Sequence, residues 1–188
     1  MELITAVDAL AGLLSLPQES DGKEAERQLR LQVVMARSEA ENLVQDYLSQ
    51  QGPPFSDNSK PPTLKMENLP VMDSMALPSS PWKRLSLSLS AFLSFRGWFA
   101  SVIDWQKSLN PKSRELLKSL ENSRIRCMAI SSNLGGLLGQ NDYPAPSSPT
   151  VSSAYKQKVA GFLVCRNYYD LLVQTEKDLL ILIAESSV

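Results

Sequence analysis

The sequence predicts an all-α fold, a long-chain four-helix bundle in which the helices run up-up-down-down. Three observations predict it: four long segments in which apolar residues recur every three or four positions, two long proline-containing connections, and one very short connection between the second and third segments. The 188 residues suffice for one domain with a sizeable core. We expect residues 1–22 to form an N-terminal segment, a short helix or flexible chain, ahead of the bundle domain over 23–188.

The first two helices are predicted over residues 23–51 and 82–109. The first begins after a cap at Ser20 or Asp21, and the second is apolar nearly all round. The alternation of Leu and Ser over 85–90 also fits a strand, but the apolar run outlasts a normal strand and loses its alternation, so helix is favoured. The predicted buried residues are Leu29, Val33, Ala36, Ala40, Leu43 and Tyr47 in the first helix, and Leu85, Leu89, Phe92, Phe95, Trp98, Phe99, Val102, Ile103 and Trp105 in the second.

The third and fourth helices are predicted over residues 111–139 and 152–184. Pro111 suits a first helical turn, and Asn110 suits the cap before it. The predicted buried residues are Leu116, Leu120, Ser123, Cys127, Ile130, Leu134 and Leu137 in the third helix, and Val159, Phe162, Tyr169, Val173, Leu180 and Ile183 in the fourth, with Leu163, Leu172 and Leu179 beside them.

The lengths of the connections predict the helix directions. A helix of about 28 residues is roughly 42 Å long, and joining two parallel helices requires a connection of that length. Residues 52–81 span it easily, and residues 140–153 just reach it at about 3.3 Å per residue. The turn at 109–111 is too short and forces an antiparallel pair. Long, short, long gives up-up-down-down, although long loops can also join antiparallel neighbours.

Composition argues against several classes of function. Histidine, the commonest general base and metal ligand, is absent, and the sequence has no phosphate-binding Gly-rich loop or nucleophile elbow. The net charge is −1 with no basic block for phosphates, and no unbroken apolar run approaches the roughly 18 residues of a membrane span. We therefore expect no enzyme activity, cofactor, metal, nucleic-acid partner or membrane insertion. Cys127 and Cys165 are expected to be buried free thiols, with one disulfide as the alternative.

The first sixteen residues do not have the features of a secretory signal peptide. Acidic residues stand at positions 2 and 8, where a positive first region and an unbroken apolar core would be needed. The apolar positions instead follow helical spacing, which predicts a short amphipathic helix with one face formed by Leu3, Val7, Leu10 and Leu14.

The remaining features indicate protein binding. Tyr155 and Lys158 are three residues apart at the predicted start of the fourth helix, so they share one face. An aromatic ring beside a lysine next to a loop is a favourable binding hot spot. Tyr155 also continues the apolar stripe into Val159 and would then be core, so both interpretations stay open. The first long connection carries apolar residues expected to pack on the bundle or to face a partner: Phe55, Leu64, Met66, Leu69, Val71, Met72 and Met75.

Three patches of sequence resemble the cardiotrophin and neuropoietin branch of the interleukin-6 group of cytokines. They are residues 47–55 (Tyr-Leu-Ser-Gln-Gln-Gly-Pro-Pro-Phe), residues 109–111 (Leu-Asn-Pro), and residues 158–179 with Lys-Val-Ala-Gly-Phe-Leu-Val-Cys and Thr-Glu-Lys-Asp-Leu. Their order and spacing extend over about residues 23–183. The family's receptor motif at the start of the fourth helix, Phe-x-x-Lys, is similar to Tyr155-x-x-Lys158 here, where tyrosine keeps the ring and adds a hydroxyl.

The resemblance implies a secreted, non-enzymatic cytokine that assembles receptor chains. These would be the shared interleukin-6-family signal transducer, the leukaemia inhibitory factor receptor and, for some members, the ciliary neurotrophic factor receptor alpha chain. The start of the fourth helix, with Tyr155, Lys156 and Lys158, would bind the leukaemia inhibitory factor receptor. Some cardiotrophins leave cells without an ordinary signal peptide, and the start of this chain is similar in this respect. Exposed faces of the first and third helices would bind the shared transducer through Arg30, Arg37, Glu41, Lys118 and Arg126.

The alternative function is an intracellular helical scaffold or lipid-binding bundle. The start of the chain, which does not resemble a signal peptide, and the very apolar second helix favour it. It predicts retention inside cells and binding to vesicles.

Overall fold

The computed structural model describes residues 18–57, 64–73, 76–143, 147 and 149–187. Over these ranges the chain forms four helices and no strand, which confirms the all-α prediction. We number them α1 (Gln18–Gln50), α2 (Pro81–Leu109), α3 (Arg114–Leu138) and α4 (Ala154–Glu185). The Leu-Ser alternation lies within α2. The amphipathic helix predicted within residues 1–16 lies outside the described residues, as does Met75.

The four helices pack as a square in which each helix contacts two antiparallel neighbours. α1 and α2 each contact α3 and α4, and α1 lies diagonally opposite α2. Tyr47 near the end of α1 bonds to Lys158 near the start of α4 and to Gln106 near the end of α2. Ser113, just before α3, bonds to Gln50 at the end of α1. Since two helices end and two begin at this side of the molecule, the order is up-up-down-down, as predicted.

The buried stripes of α1, α2 and α3 are those predicted, except that Trp105 and Leu137 are only half-buried. In the second half of α4, Leu172 and Leu179 are buried as predicted, but the rest of the predicted stripe is wrong: Tyr169, Val173 and Ile183 are half-buried and Leu180 is 44% exposed. Polar residues that satisfy their own hydrogen bonds face the interior there, so apolar spacing alone did not reveal the buried face. The residues buried instead are Tyr168, Leu171, Thr175, Asp178 and Leu182.

The start of α1 is earlier than predicted. Residues 18–22 already belong to the helix, so the boundary expected at residue 22 falls inside it. Ser20 and Asp21 consequently lie within α1 and are not its cap.

The turn between α2 and α3 also differs from the prediction. Asn110 closes the end of α2, with its main-chain N–H donating to the carbonyl of Gln106 at 2.8 Å, and does not cap α3. Pro111 lies in the turn, and α3 begins at Arg114 after Ser113. The reason is steric, since a residue that precedes proline avoids the helical conformation and ends the helix.

Both long connections contact α2 and α4. In the first, the indole N–H of Trp98 donates to Asn68 and the side-chain amide of Asn167 donates to Pro70. In the second, the hydroxyl of Ser101 donates to the carbonyl of Pro149. The apolar residues of the first connection mostly pack on the bundle, as expected: Phe55 and Leu69 are buried, Leu64, Met66 and Met72 are half-buried, and Val71 is exposed.

Both cysteines are buried free thiols, the state favoured by the sequence. Cys127 lies on α3 and donates its Sγ hydrogen to the carbonyl of Phe92 on α2. Cys165 lies on α4, at the diagonally opposite corner of the square. Burial raises the pKa of both thiols far above their ordinary value, so they stay protonated and unreactive.

α2 is long and apolar enough to cross a membrane by length and composition, although no single apolar run in it is long. Of its most apolar window, 61% is buried inside the bundle. Packing against α3 and α4 therefore accounts for its composition.

A buried ion pair joins the end of the first connection to α2 and α4. Nε of Arg84 lies 2.6 Å from Oδ1 of Asp178, whose side chain is fully buried. Nη1 of Arg84 also donates to the carbonyls of Pro78 and Ser79 at 2.9 and 2.7 Å. Gln174 donates to both carboxylate oxygens of Asp178 at 3.2 Å. These bonds fix the place where the loop enters α2.

We expect Asp178→Ala to lower the free energy of unfolding by about 3–5 kcal/mol, because Arg84 would keep a largely buried charge without its partner. The control is Arg124→Ala, which breaks the more exposed pair between Arg124 and Glu121 and should cost less than about 1 kcal/mol. Urea unfolding of both variants measures the difference. Equal decreases in the free energy of unfolding would show that the buried pair stabilises the protein no more than the exposed pair does.

Candidate functional site

The start of α4 presents an exposed aromatic ring. Ser153 caps this helix end, with its hydroxyl accepting from the main-chain N–H of Lys156. Tyr155, two residues after Ser153, is 58% exposed, so it does not belong to the core. Its ring centroid lies 5.6 Å from that of Phe55, a buried residue of the first connection. The buried ring supports the exposed ring from below.

Lys158 lies one turn further along α4 and is half-buried. Its ammonium group donates to the main-chain carbonyl of Gln51 at 2.9 Å. Gln51 directly follows the last residue of α1, and the carbonyl end of a helix carries a partial negative charge that attracts a cation. This bond uses one of the three donors of the ammonium group. Lys156, between the two residues, is exposed.

A group of polar residues lies beneath Lys158, and we call it the polar cluster: Tyr47, Gln51 and Gln106, which are buried, and Asn110, which is half-buried. The hydroxyl of Tyr47 donates to the main-chain carbonyl of Lys158 at 3.0 Å and accepts from Nε2 of Gln106 at 3.1 Å. The side-chain amides of Gln51 and Gln106 donate to each other, both at 3.1 Å. The amide of Asn110 lies 2.8 Å from Oε1 of Gln106. Burial raises the pKa of Tyr47 well above its ordinary value, so its hydroxyl keeps its proton.

Glycine allows Tyr47 to reach α4. A Cβ atom at Gly161 would overlap the hydroxyl and ring of Tyr47. The ring therefore packs directly on the backbone of α4, three residues after Lys158. The sequence predicted neither this contact nor the polar cluster, because the position of a glutamine in an apolar helix does not indicate which residue it will bond to.

The five residues predicted for a surface on the first and third helices lie on two different faces. Arg30 and Arg37 approach the carboxylate of Glu176 on α4, at 3.7 and 3.0 Å. Glu41, four residues after Arg37, lies on the same side of α1 and is exposed. These three residues border α4, so they do not form a surface with α3.

Arg126 lies where α1 and α3 meet. Its guanidinium donates to both carboxylate oxygens of Glu39, at 3.1 and 2.8 Å, and this bonding raises the pKa of Arg126. Lys118 is exposed on α3, two turns earlier. A depression of about 220 Å³ adjoins the pair and is lined by Glu39, Asn122, Ile125, Arg126 and Ala129.

Exposed apolar side chains lie on the same two helices as this ion pair, and sequence reasoning missed them. Leu31 and Met35 lie two turns and one turn before Glu39 on α1, and Ile125 precedes Arg126 on α3. The sequence could have predicted their exposure, since each is an apolar residue outside the predicted buried stripe of its helix. We call these residues, with Glu39 and Arg126, the α1–α3 surface.

The described residues contain no group of three or more His, Cys, Asp or Glu side chains that could hold a metal ion. The features that stand out are contact surfaces on a rigid helical frame. Four long helices in up-up-down-down order with two long crossovers form the architecture of the growth hormone and cytokine bundles. The fold and its surfaces thus define the class of helical cytokines.

Comparison with known proteins narrows this class. The family model of plethodontid receptivity factor matches residues 31–187. Cardiotrophin-2 of Mus musculus is 32% identical over 159 residues, which cover 77% of this chain and 76% of that protein. Cardiotrophin-2 of Pan troglodytes is 30% identical over 158 residues, 77% of each chain. Cardiotrophin-1 of Homo sapiens is 31% identical over 154 residues, 74% of this chain and 76% of that protein. The chain belongs to the cardiotrophin family of interleukin-6-type cytokines.

We expect Gly161→Ala to destabilise the protein by about 1–3 kcal/mol, because the added methyl group must displace the ring of Tyr47. Gly136→Ala is the matched control in α3, where a Cβ atom meets nothing within 4 Å. Replacing that helical glycine should stabilise the protein by up to about 1 kcal/mol. Thermal and urea unfolding measure both changes. Stabilisation by both substitutions would contradict the close contact at Gly161.

Proposed function

We propose that the protein is a secreted cytokine that joins two receptor chains on one cell membrane and thereby triggers signalling. Its partners would be the leukaemia inhibitory factor receptor and the shared interleukin-6-family signal transducer. It would act by binding and not by catalysis. Membership of the cardiotrophin family supports this proposal, together with two separate exposed surfaces on one rigid bundle.

The start of α4 would bind the leukaemia inhibitory factor receptor through Tyr155, Lys156 and Lys158. The observation that carries this assignment is the exposed ring of Tyr155, which rests on buried Phe55. A ring already held in place loses little conformational entropy on binding. Lys158 adds a charge whose position is fixed by Gln51. A rigid aromatic anchor beside a fixed cation is typical of a binding hot spot.

The α1–α3 surface would bind the shared transducer, with Arg126 near its centre and Lys118 at its edge. Leu31, Met35 and Ile125 supply apolar area that the bundle leaves exposed. A mixture of exposed apolar side chains with a methionine and an arginine is compatible with a non-obligate interface, in which Met and Arg are enriched.

Arg30, Arg37 and Glu41 would contact a third chain. They lie on the side of α1 that borders α4. A receptor bound to the α1–α3 surface lies on the other side of α1, so it would not contact these residues. The ciliary neurotrophic factor receptor alpha chain is the candidate for this position.

The alternative function, an intracellular helical scaffold or lipid-binding bundle, was favoured by two features: the start of the chain and the apolar composition of α2. The second feature no longer supports it. The apolar composition of α2 is largely explained by burial between the other helices. Flotation with liposomes of mixed neutral and anionic lipids, together with assay of the culture medium, separates the two functions.

We expect Tyr155→Ala combined with Lys158→Ala to weaken binding to the leukaemia inhibitory factor receptor ectodomain by at least ~2 kcal/mol, because both anchors are lost. The circular dichroism spectrum and melting temperature should change little, since Tyr155 is largely exposed and the main-chain bond between Lys158 and Tyr47 is retained in the variant. Lys177→Ala is the control, as Lys177 is an exposed lysine at the other end of α4. Unchanged receptor binding by the double variant, measured by surface plasmon resonance, would refute this site.

We expect Leu31→Asp combined with Ile125→Asp to weaken binding to the shared transducer at least tenfold, which corresponds to about 1.4 kcal/mol. Both side chains are exposed, so the fold should tolerate the change. Binding to the leukaemia inhibitory factor receptor should stay unchanged, because that site lies at the end of the bundle. Loss of binding to both receptors would contradict the separation of the two surfaces.

A further inference from the structure

Gln106 is a fully buried polar residue on α2, below the start of α4. Its side chain donates to the hydroxyl of Tyr47 and to Oε1 of Gln51, and it accepts from Nε2 of Gln51. A buried amide needs such partners to offset its desolvation, whereas an apolar residue of similar shape would fill the same space without them. The hydrogen bonds of Gln106 therefore call for an explanation other than packing.

Both residues that hold Lys158 are bonded to Gln106. Tyr47 bonds to the main-chain carbonyl of Lys158, which fixes the position of the first turns of α4. The main-chain carbonyl of Gln51 accepts from the ammonium group, which fixes the direction of the side chain. The side chain of Gln106 contacts Tyr47 and Gln51 at once and comes from a third helix. It is the point at which these two supports are joined.

We propose that Gln106 is a positioning residue for the receptor-binding start of α4, which it orients through Tyr47 and Gln51. This inference rests on the proposed function of that site. Gln106 touches no receptor, because it is buried. It keeps the carbonyl of Gln51 aimed at Lys158, so that the ammonium group is already ordered before a receptor binds. The remaining donors of that group then face a carboxylate or carbonyl oxygen of the partner.

The size of the effect follows from the entropy of the lysine side chain. Ordering a long side chain during association costs enough to weaken binding by a factor of about three to ten. Without the amide of Gln106, the side chain of Gln51 loses its reciprocal bonds and keeps only those to the carbonyl of Tyr47 and to Asn110, so its main-chain carbonyl is held less firmly. Lys158 would then sample several orientations, and the receptor complex would form with a lower affinity.

The test is Gln106→Met in the full chain, which keeps the length of the side chain and removes the amide. We expect about three- to tenfold weaker binding to the leukaemia inhibitory factor receptor ectodomain and unchanged binding to the shared transducer. In a background of Lys158→Ala the same substitution should have a much smaller effect on receptor binding, because the ammonium group that it positions through Gln51 is already gone and only the bond of Tyr47 to the first turns of α4 remains.

The matched control is Thr175→Val, which removes a fully buried hydroxyl that donates to the carbonyl of Leu171 towards the other end of α4. It should lower stability and leave both receptor affinities unchanged. Equal weakening by Gln106→Met and Thr175→Val would overturn the proposal, since general destabilisation would then explain the result. An undiminished effect of Gln106→Met in the Lys158→Ala background would overturn it as well.

Gln51→Ala is the second variant, for use if Gln106→Met does not fold. It removes the amide that pairs with Gln106 and retains the carbonyl that accepts from Lys158, so the same pattern of affinities is expected. Lys158→Ala alone separates a failure of the proposed receptor site from a failure of the positioning role of Gln106. If it leaves receptor binding unchanged, the proposed site is wrong. If it weakens binding while Gln106→Met and Gln51→Ala do not, only the positioning role is wrong.

Discussion

Three helices of the bundle meet at the hydroxyl group of Tyr47. The ring comes from α1, packs on the backbone of α4 at Gly161, and bonds to Gln106 of α2 and to the carbonyl of Lys158. The contact needs a residue without a side chain on α4, a buried donor on α2 and an aromatic residue long enough to cross between them. Its consequence reaches the surface, because Lys158 and the ring of Tyr155 take their positions from the first turns of α4.

The order of the helices determines which surfaces are free. Both long connections contact α2 and α4, through Trp98 and Ser101 on α2 and through Asn167 on α4. α2 therefore lies largely beneath the loops, which suits its apolar composition, although Trp82 and Leu87 near its start stay exposed. α1 and α3 also keep exposed apolar residues, such as Met35 and Ile125. A chain with this topology offers one contact surface at the end of the bundle and another along α1 and α3. Such separation is what our proposal requires, since one small protein would then hold two receptors.

Sequence predicted the fold more completely than the site, and the reason is physical. Apolar spacing defines which face of a helix is buried, and it failed most in α4, where Thr175 and Asp178 are buried with their hydrogen bonds satisfied. It does not define the rotation of one helix against its neighbours, so the approach of Arg37 to Glu176 on α4 was not predictable. The exposure of Tyr155 depends on Phe55, a hundred positions earlier in the chain, and only the folded loop brings them together.

The polar groups at the two ends of α4 set its register, whereas the middle of the bundle is held by contacts that depend little on direction. Tyr168 packs edge-on against Phe92, Phe95 and Phe99, and apolar burial of this kind changes little with small shifts along the helix axis. Hydrogen bonds depend on position much more strongly. Moving α4 by one turn, about 5.4 Å, would break both the pair of Arg84 with Asp178 and the bond of Lys158 to Gln51. The same movement would separate Tyr155 from Phe55. The register of α4 and the surface that we propose binds a receptor thus depend on the same hydrogen bonds, and this is the basis for the proposed influence of Gln106 on a contact that it never makes.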